Sequence, residues 1–337
     1  MSKTYKVVKL SRMLGSAITT WQREELAKVD AELIEISDAN KSELVETIKD
    51  AHVILSGAAP RWIIEAAPKC IAIITGNVGF DGIDVVAATE NNILVVNNPS
   101  FEWCVEEVSN HALTLLLACA KKVKMLDHLV SQGRWTEAKQ AQTPMGSVYG
   151  QTLGIVGCGA IGRMVARKAK CFGLNVIGYD PYMPESYIAR ENGISLMRLG
   201  LTLKADYVSL HPDLNEKSFH LIDDGAFEQM KPSAYLINTA RGKVVDEAAL
   251  IRALKENRIA GAGLDVFEDE PLSKNSPLTK MENVIVLPHS ASYSDESFKR
   301  PPVNSIREAC RILTGKLPLN VVNKLISPRN LAATMGR

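Results

Sequence analysis

The segment Gly157-Cys158-Gly159-Ala160-Ile161-Gly162 spaces its glycines as G-x-G-x-x-G. It directly follows the apolar run Leu153–Val156, and a helical pattern with Val165, Ala166 and Ala169 comes after it. A strand, a tight loop and a helix in that order suit a dinucleotide pyrophosphate. Gly157 permits the turn, Gly159 lets the backbone approach the phosphates, and Gly162 lets the helix pack close to the strand. The helix start, Ala160 and Ile161, offers unpaired N–H groups to an anion. Asp180 stands at the end of the next expected strand, Asn175–Tyr179. A carboxylate there accepts hydrogen bonds from a ribose 2′-OH and repels a 2′-phosphate. Within Pro181–Ile188 no Arg or Lys follows to neutralise such a phosphate, so the expected cofactor is NAD over NADP. The bland alternatives are a tight strand–helix turn and a strand-end acid before Pro181.

Chemistry at a nicotinamide needs a proton donor and a charge anchor. In parallel sheets of this kind, ligands bind just beyond the carboxyl ends of strands. Arg241 follows the expected strand Ala234–Asn238, Glu270 lies past Ala262–Val266, and His289 follows Val284–Leu287 and Pro288. Taken singly, these are a surface arginine, a turn acid beside Pro271 and a loop histidine. Their order within one nucleotide-fold half makes them a candidate constellation.

The flanks of these residues carry a resemblance. Asn238-Thr239-Ala240-Arg241-Gly242, Gly261-Ala262-Gly263-Leu264-Asp265-Val266-Phe267-Glu268 with Glu270-Pro271, and Leu287-Pro288-His289 are similar to the signatures of the D-isomer-specific 2-hydroxyacid dehydrogenases. So are Gly79-Phe80-Asp81-Gly82-Ile83-Asp84, Gly133-Arg134-Trp135, Ser209-Leu210-His211-Pro212 and Gly315-Lys316-Leu317-Pro318, so the likeness runs over almost the whole chain.

The resemblance implies an NAD-dependent oxidoreductase that interconverts a 2-oxo acid and a D-2-hydroxy acid. Arg241 would clamp the substrate carboxylate and 2-oxo oxygen, for which its planar fork is suited. His289 would protonate the carbonyl oxygen, and Glu270 would hold the imidazole and favour its charged form. Asp265 would sit near the nicotinamide, with Thr239, Ala240, His211 and Pro212 lining the cofactor cleft. Val78 and Gly79 would complete the substrate carboxylate site, and no metal is implied. Cys104-Val105-Glu106-Glu107 and Ser290-Ala291-Ser292-Tyr293-Ser294 resemble the C-terminal-binding-protein branch most. That branch includes NAD-sensing transcriptional corepressors, the alternative function. Ser292 stands where those corepressors have a tryptophan, so their substrate preference does not transfer.

Elements must position these groups. Strands are expected at Tyr5–Leu10, Leu33–Ile36, Val53–Leu55, Ile71–Thr75 and Leu94–Val96, with helices at Thr20–Val29 and at Ser42–Lys49, where Ser42 is the expected N-cap. After Pro99, the apolar spacing predicts one long helix from Phe101 to Val130, with Glu102, Glu106 and Glu107 in its first turns. Gly133 ends it. A second strand–helix series starts at Thr152–Val156 and includes Tyr207–Leu210, and a tail helix is expected at Arg307–Leu313 with Gly315 as its stop. Pro301 and Pro302 are expected to interrupt the helix that relatives place after the catalytic loop. The fold class is α/β, with two doubly wound parallel-sheet domains. The resemblance implies a Rossmann NAD domain (101–291) inserted into a flavodoxin-like substrate domain (1–100 and 292–337), with the long helix as first crossover and part of a homodimer interface.

The 337 residues suit two domains, and 46% hydrophobic with 23% charged residues is the mixture of a globular chain. Lys+Arg at 39 against Asp+Glu at 38 gives a net charge of +1, so no nucleic-acid partner is expected. No apolar run reaches the roughly 18 residues of a membrane span, and the basic Met1–Leu10 has no hydrophobic region behind it, so no secretory signal is expected. The 6 cysteines show no metal-site spacing and read as small buried hydrophobes in a reducing, cytoplasmic setting.

Overall fold

The computed structural model describes residues 4–10, 18–36, 41–98, 104–184, 192–297 and 300–323. Contacts divide the chain into two units, Met1–Ser100 with Ser294–Arg337, and Phe101–Tyr293.

The first unit is built on β1 (Tyr5–Leu10), β2 (Ala31–Ile36), β3 (Val53–Leu55), β5 (Ala72–Ile74) and β7 (Leu94–Val96). They pair in the order β2-β1-β3-β5-β7, every pair parallel. Counted among themselves, these strands run 2-1-3-4-5, the flavodoxin-like order. Two short strands, β4 (Ala58–Ala59) and β6 (Gly82–Ile83), form a separate parallel pair. Both faces of the main sheet are covered, so β3, β5 and β7 read as continuous apolar runs, whereas β2 at the sheet edge alternates with Glu32 and Glu35. Val8, Ile54 and Ile73 enter one buried cluster, while Val7, Val53, Leu55, Ala72 and Ile74 enter the opposite one.

The helix Arg300–Leu313 supplies Ile306, Ala309, Ile312 and Leu313 to that second cluster. The expected interruption at Pro301 and Pro302 does not occur. The two prolines fall in the first turn, where a missing N–H breaks no intrahelical bond. The helix therefore starts before the expected Arg307, and Gly315 follows its end at φ +77°.

The second unit carries β8 (Thr152–Val156), β9 (Asn175–Tyr179), β10 (Ser195–Leu196), β11 (Tyr207–Leu210), β12 (Tyr235–Asn238), β13 (Gly261–Leu264) and β14 (Val284–Val286). The order is β10-β9-β8-β11-β12-β13-β14, all parallel. This is the doubly wound Rossmann order with one strand added at the far edge. The chain winds outward from β8 in one direction, then crosses back to β11, which puts the loop after β8 at the switch point. Ile155 and Ile237 pack under Leu115, Leu116 and Cys119, whereas Val156, Leu236 and Leu264 pack on the other face.

The single helix expected over 101–130 is two helices, Cys104–Ala120 and Val123–Ser131. Lys122 breaks it with φ +51°, and its Nζ reaches the Ala141 carbonyl at 3.1 Å. Lys124 Nζ donates to the Met281 and Val284 carbonyls, tying the start of the second helix to β14 and the residues before it. One left-handed residue leaves the apolar spacing intact, so periodicity passes over it. Pro99, Phe101 and Glu102 lie outside the described residues. Ser42 sits inside the helix Lys41–Ile48 rather than at its cap. Cys70, Cys104, Cys119 and Cys158 are buried, Cys310 is half-buried and Cys171 exposed, and none of the six is in a disulfide. Among the described residues no helix is long and apolar enough to cross a membrane.

Candidate active site

The loop after β8 has the geometry its glycines imply. Gly157 adopts φ +88°, and a Cβ there would stand 2.6 Å from Pro212 N, so side chains are excluded on two counts. At Gly162 a Cβ would lie 2.1 Å from the Gly157 carbonyl oxygen. A Cβ on Gly159 would meet nothing within 4 Å, so the backbone there faces open space. Ala160 and Ile161 begin the helix Ala160–Cys171, with their N–H groups directed at that opening. A pyrophosphate fits this arrangement.

Asp180 follows β9, as expected, and does more than wait for a ribose. Its Oδ2 accepts from Cys158 N at 2.8 Å, tying the glycine loop to β9. Its Oδ1 accepts from Tyr182 N at 2.9 Å and Met183 N at 3.2 Å. Of the stretch Pro181–Ile188, residues from 185 onward lie outside the described residues.

His211, beyond β11, bonds Ser209 Oγ through Nε2 at 2.9 Å. Its Nδ1 is buried without a partner among the described residues, as is Thr239 Oγ1. Burial pushes the His211 imidazole down to about 3, so it is neutral at physiological pH. Two orphaned polar atoms beside the glycine loop and after β12 are further signs of a ligand site.

Beyond β12, Asn238 shapes the arginine loop: its Oδ1 accepts from Ala240 N at 3.0 Å and its Nδ2 donates to the Arg241 carbonyl at 2.9 Å. Arg241 Nη1 in turn donates to the Ala240 carbonyl at 2.7 Å. Gly242 presses this loop on the next one. A Cβ there would fall 1.8 Å from the Phe267 carbonyl carbon, which requires glycine. The close approach joins the Arg241 loop to the loop that ends in Glu270.

His289 Nδ1 and Glu270 Oε2 are 2.7 Å apart. The other Glu270 oxygen accepts from Phe267 N at 3.1 Å, which fixes the carboxylate's rotation. His289 is a non-glycine residue at φ +55°, held there by its N–H bond to the Asp265 carbonyl at 2.8 Å. The Glu270 carboxylate raises the imidazole above its ordinary value, against burial and the Arg241 cation, which lower it. Burial works to raise the Glu270 carboxyl, but the His289 and Phe267 hydrogen bonds hold it below the usual carboxylate value. The carboxylate at Nδ1 thus favours the charged form of the His289 imidazole.

Asp265 is 0% exposed, immediately past β13. Its carboxylate accepts from Ser290 N at 2.9 Å and Ala291 N at 2.7 Å, latching the segment that carries His289. His111 Nε2 stands 3.5 Å from its Oδ1. Burial favours the neutral acid, yet His111 and the two backbone donors keep the carboxyl below its ordinary value. No sequence motif marks His111 for this contact. The available signal was a titratable side chain on the same helical stripe as Val108 and Leu115, both buried.

Arg241, Glu270, His289, Asp265, His211 and the glycine loop thus belong to one unit. Val78 and Gly79 belong to the other, in the loop after β5, where the Val78 carbonyl accepts from Asn97 Nδ2 at 2.7 Å.

Residues 113–291 match the family model described as the D-isomer-specific 2-hydroxyacid dehydrogenase NAD-binding domain. The chain is 41% identical over 290 residues to a glyoxylate reductase from Korarchaeum cryptofilum, covering 85% of this chain and 86% of that protein. It is 38% identical to a D-3-phosphoglycerate dehydrogenase from Methanocaldococcus jannaschii over 92% of this chain and 60% of that protein. Its fold superposes on an NADPH-dependent glyoxylate/hydroxypyruvate reductase from Sinorhizobium meliloti, solved with NADP and malonate. The TM-score is 0.81 at 26% identity, over 96% of this chain and 98% of that one. These relatives lend the corepressor alternative no support. A switch-point glycine loop, an acid-held histidine after the last strand and relatives that agree over most of the chain lead to one conclusion: the protein belongs to the D-isomer-specific 2-hydroxyacid dehydrogenase family, enzymes that use a nicotinamide dinucleotide.

Proposed function

We propose that the enzyme reduces a small 2-oxo acid to the D-2-hydroxy acid, or runs the reverse reaction, with NAD(H) preferred over NADP(H). The observation that carries this reading is the His289–Glu270 pair at 2.7 Å in the unit that holds Arg241. Gly157, Gly159, Ala160, Ile161, Gly162, Asp180, His211, Pro212, Thr239, Ala240 and Asp265 would hold the dinucleotide. When bound, it supplies or takes up the hydride. Arg241 binds the substrate carboxylate and 2-oxo oxygen through its fork of donors, which polarises the carbonyl. His289, protonated through the help of Glu270, gives a proton from Nε2 to the carbonyl oxygen in reduction and takes it back in oxidation.

The preference for NAD rests on the Asp180 carboxylate at the end of β9, which opposes a 2′-phosphate. The reading also takes the protein as a cytoplasmic homodimer. Trp135 is 63% exposed, and Val123 and Val130 are exposed on the neighbouring helix, an apolar surface of the kind that subunit contacts cover.

The test is to follow NADH and NADPH oxidation against glyoxylate, hydroxypyruvate, its 3-phosphate and branched 2-oxo acids, with chiral analysis of products. Turnover with NADH and a D product support the proposal. No turnover with any of these, or an L product, would refute it.

A further inference from the structure

Three segments surround the end of the glycine loop, and one of them brings a cation that lies far away in sequence. The Asp180 carboxylate receives three backbone N–H bonds, from Cys158, Tyr182 and Met183. Tyr182, next to it, is 66% exposed. Across from it, the loop after β11 carries Lys217, whose ammonium lies over the Tyr182 ring, 5.5 Å from its centroid.

That loop is built rather than loose. Asn215 Oδ1 accepts from Lys217 N at 2.9 Å, Asn215 N donates to Ser218 Oγ at 2.8 Å, and Ser218 Oγ donates to the Asp213 carbonyl at 2.6 Å. At its other end, His211 and Pro212 touch the glycine turn at Gly157. Among the described residues, the Tyr182 ring rather than a carboxylate is what meets the Lys217 ammonium.

We infer that Lys217, seated on Tyr182, is a specificity-determining residue that faces the 2′ position of the adenosine ribose and supports whatever binding of NADPH the enzyme has. The inference rests on the dinucleotide reading above. The two charges act in opposite directions at this position. Asp180 favours the free 2′-OH, but its three N–H donors already offset part of its charge. Lys217 gives a 2′-phosphate dianion an exposed cationic partner. The sequence next to β9 shows only the first of these charges, Asp180.

The test measures dissociation constants of NADH and NADPH for the full chain by fluorescence, in wild type, Lys217→Gln and Lys217→Arg, at low and high salt. Lys217→Gln should weaken NADPH relative to NADH by roughly fivefold at low salt, the scale of an exposed ion pair with a multiply charged partner. The loss should shrink at high salt, and Lys217→Arg should restore most of it. An unchanged NADPH-to-NADH ratio overturns the inference, as does equal weakening of both cofactors or NADPH binding too weak to measure in the wild type. Failure of the wild type to bind NADH at all would instead overturn the dinucleotide reading.

Discussion

Replacing Glu270 with Gln keeps the shape beside His289 Nδ1 and removes the charge. The pair is 2.7 Å apart, with side chains 49% and 36% exposed for His289 and Glu270. Unit charges about 4 Å apart are worth roughly 1 kcal/mol in water and about 4 kcal/mol at an effective dielectric near 20. With both groups more than a third exposed, screening puts the contribution at the lower end, about 1 kcal/mol. That corresponds to roughly a fivefold effect. Reduction requires protonated His289, and Glu270 raises the imidazole, so the active range is limited from the alkaline side. Without the carboxylate the limb moves to lower pH. The assay is kcat/KM for oxo-acid reduction against pH. Glu270→Gln should fall about fivefold below wild type on the alkaline limb and approach it at acid pH, where the imidazole is protonated in both. An alkaline limb that stays fixed or moves upward would show that Glu270 does not support the imidazolium.

Arg241→Lys keeps a charge but loses the planar fork, so kcat/KM should fall by about two orders of magnitude while NADH affinity, measured by fluorescence titration, changes little; near-normal turnover would remove the clamp assignment. Asp180→Ala should narrow the NADH preference in steady-state kinetics and also loosen the glycine loop, because the Cys158 N–H loses its acceptor. An unchanged NADH-to-NADPH efficiency ratio would count against its role at the ribose.

Much of this site could be read from residue order. Gly157, Gly159 and Gly162 after β8, Asp180 after β9 and polar residues after successive strands are local patterns, because each is set by a strand end. What residue order does not show is set by single backbone states or by distant neighbours. Lys122 splits a helix without disturbing its apolar spacing, and Pro301 and Pro302 act as helix starters because they fall in a first turn. Gly242 looks like an ordinary flank until the Phe267 backbone is found against it. His111 reaches Asp265 from a helix that ends well before the Rossmann strands begin. Lys217 meets Tyr182 only when the loops after β9 and β11 come together. Position marks Asp180 as a ribose acceptor, but its bonds to three N–H groups have no sequence signature.

The most direct measurement of the central claim is the single-turnover rate of hydride transfer from bound NADH to a 2-oxo acid in His289→Ala. If His289 is the proton donor, the rate should fall by roughly two to four orders of magnitude while the NADH dissociation constant stays close to wild type. A His289→Ala enzyme that transfers hydride at close to the wild-type rate would contradict the account and leave His289 a loop residue paired with Glu270 for structure alone.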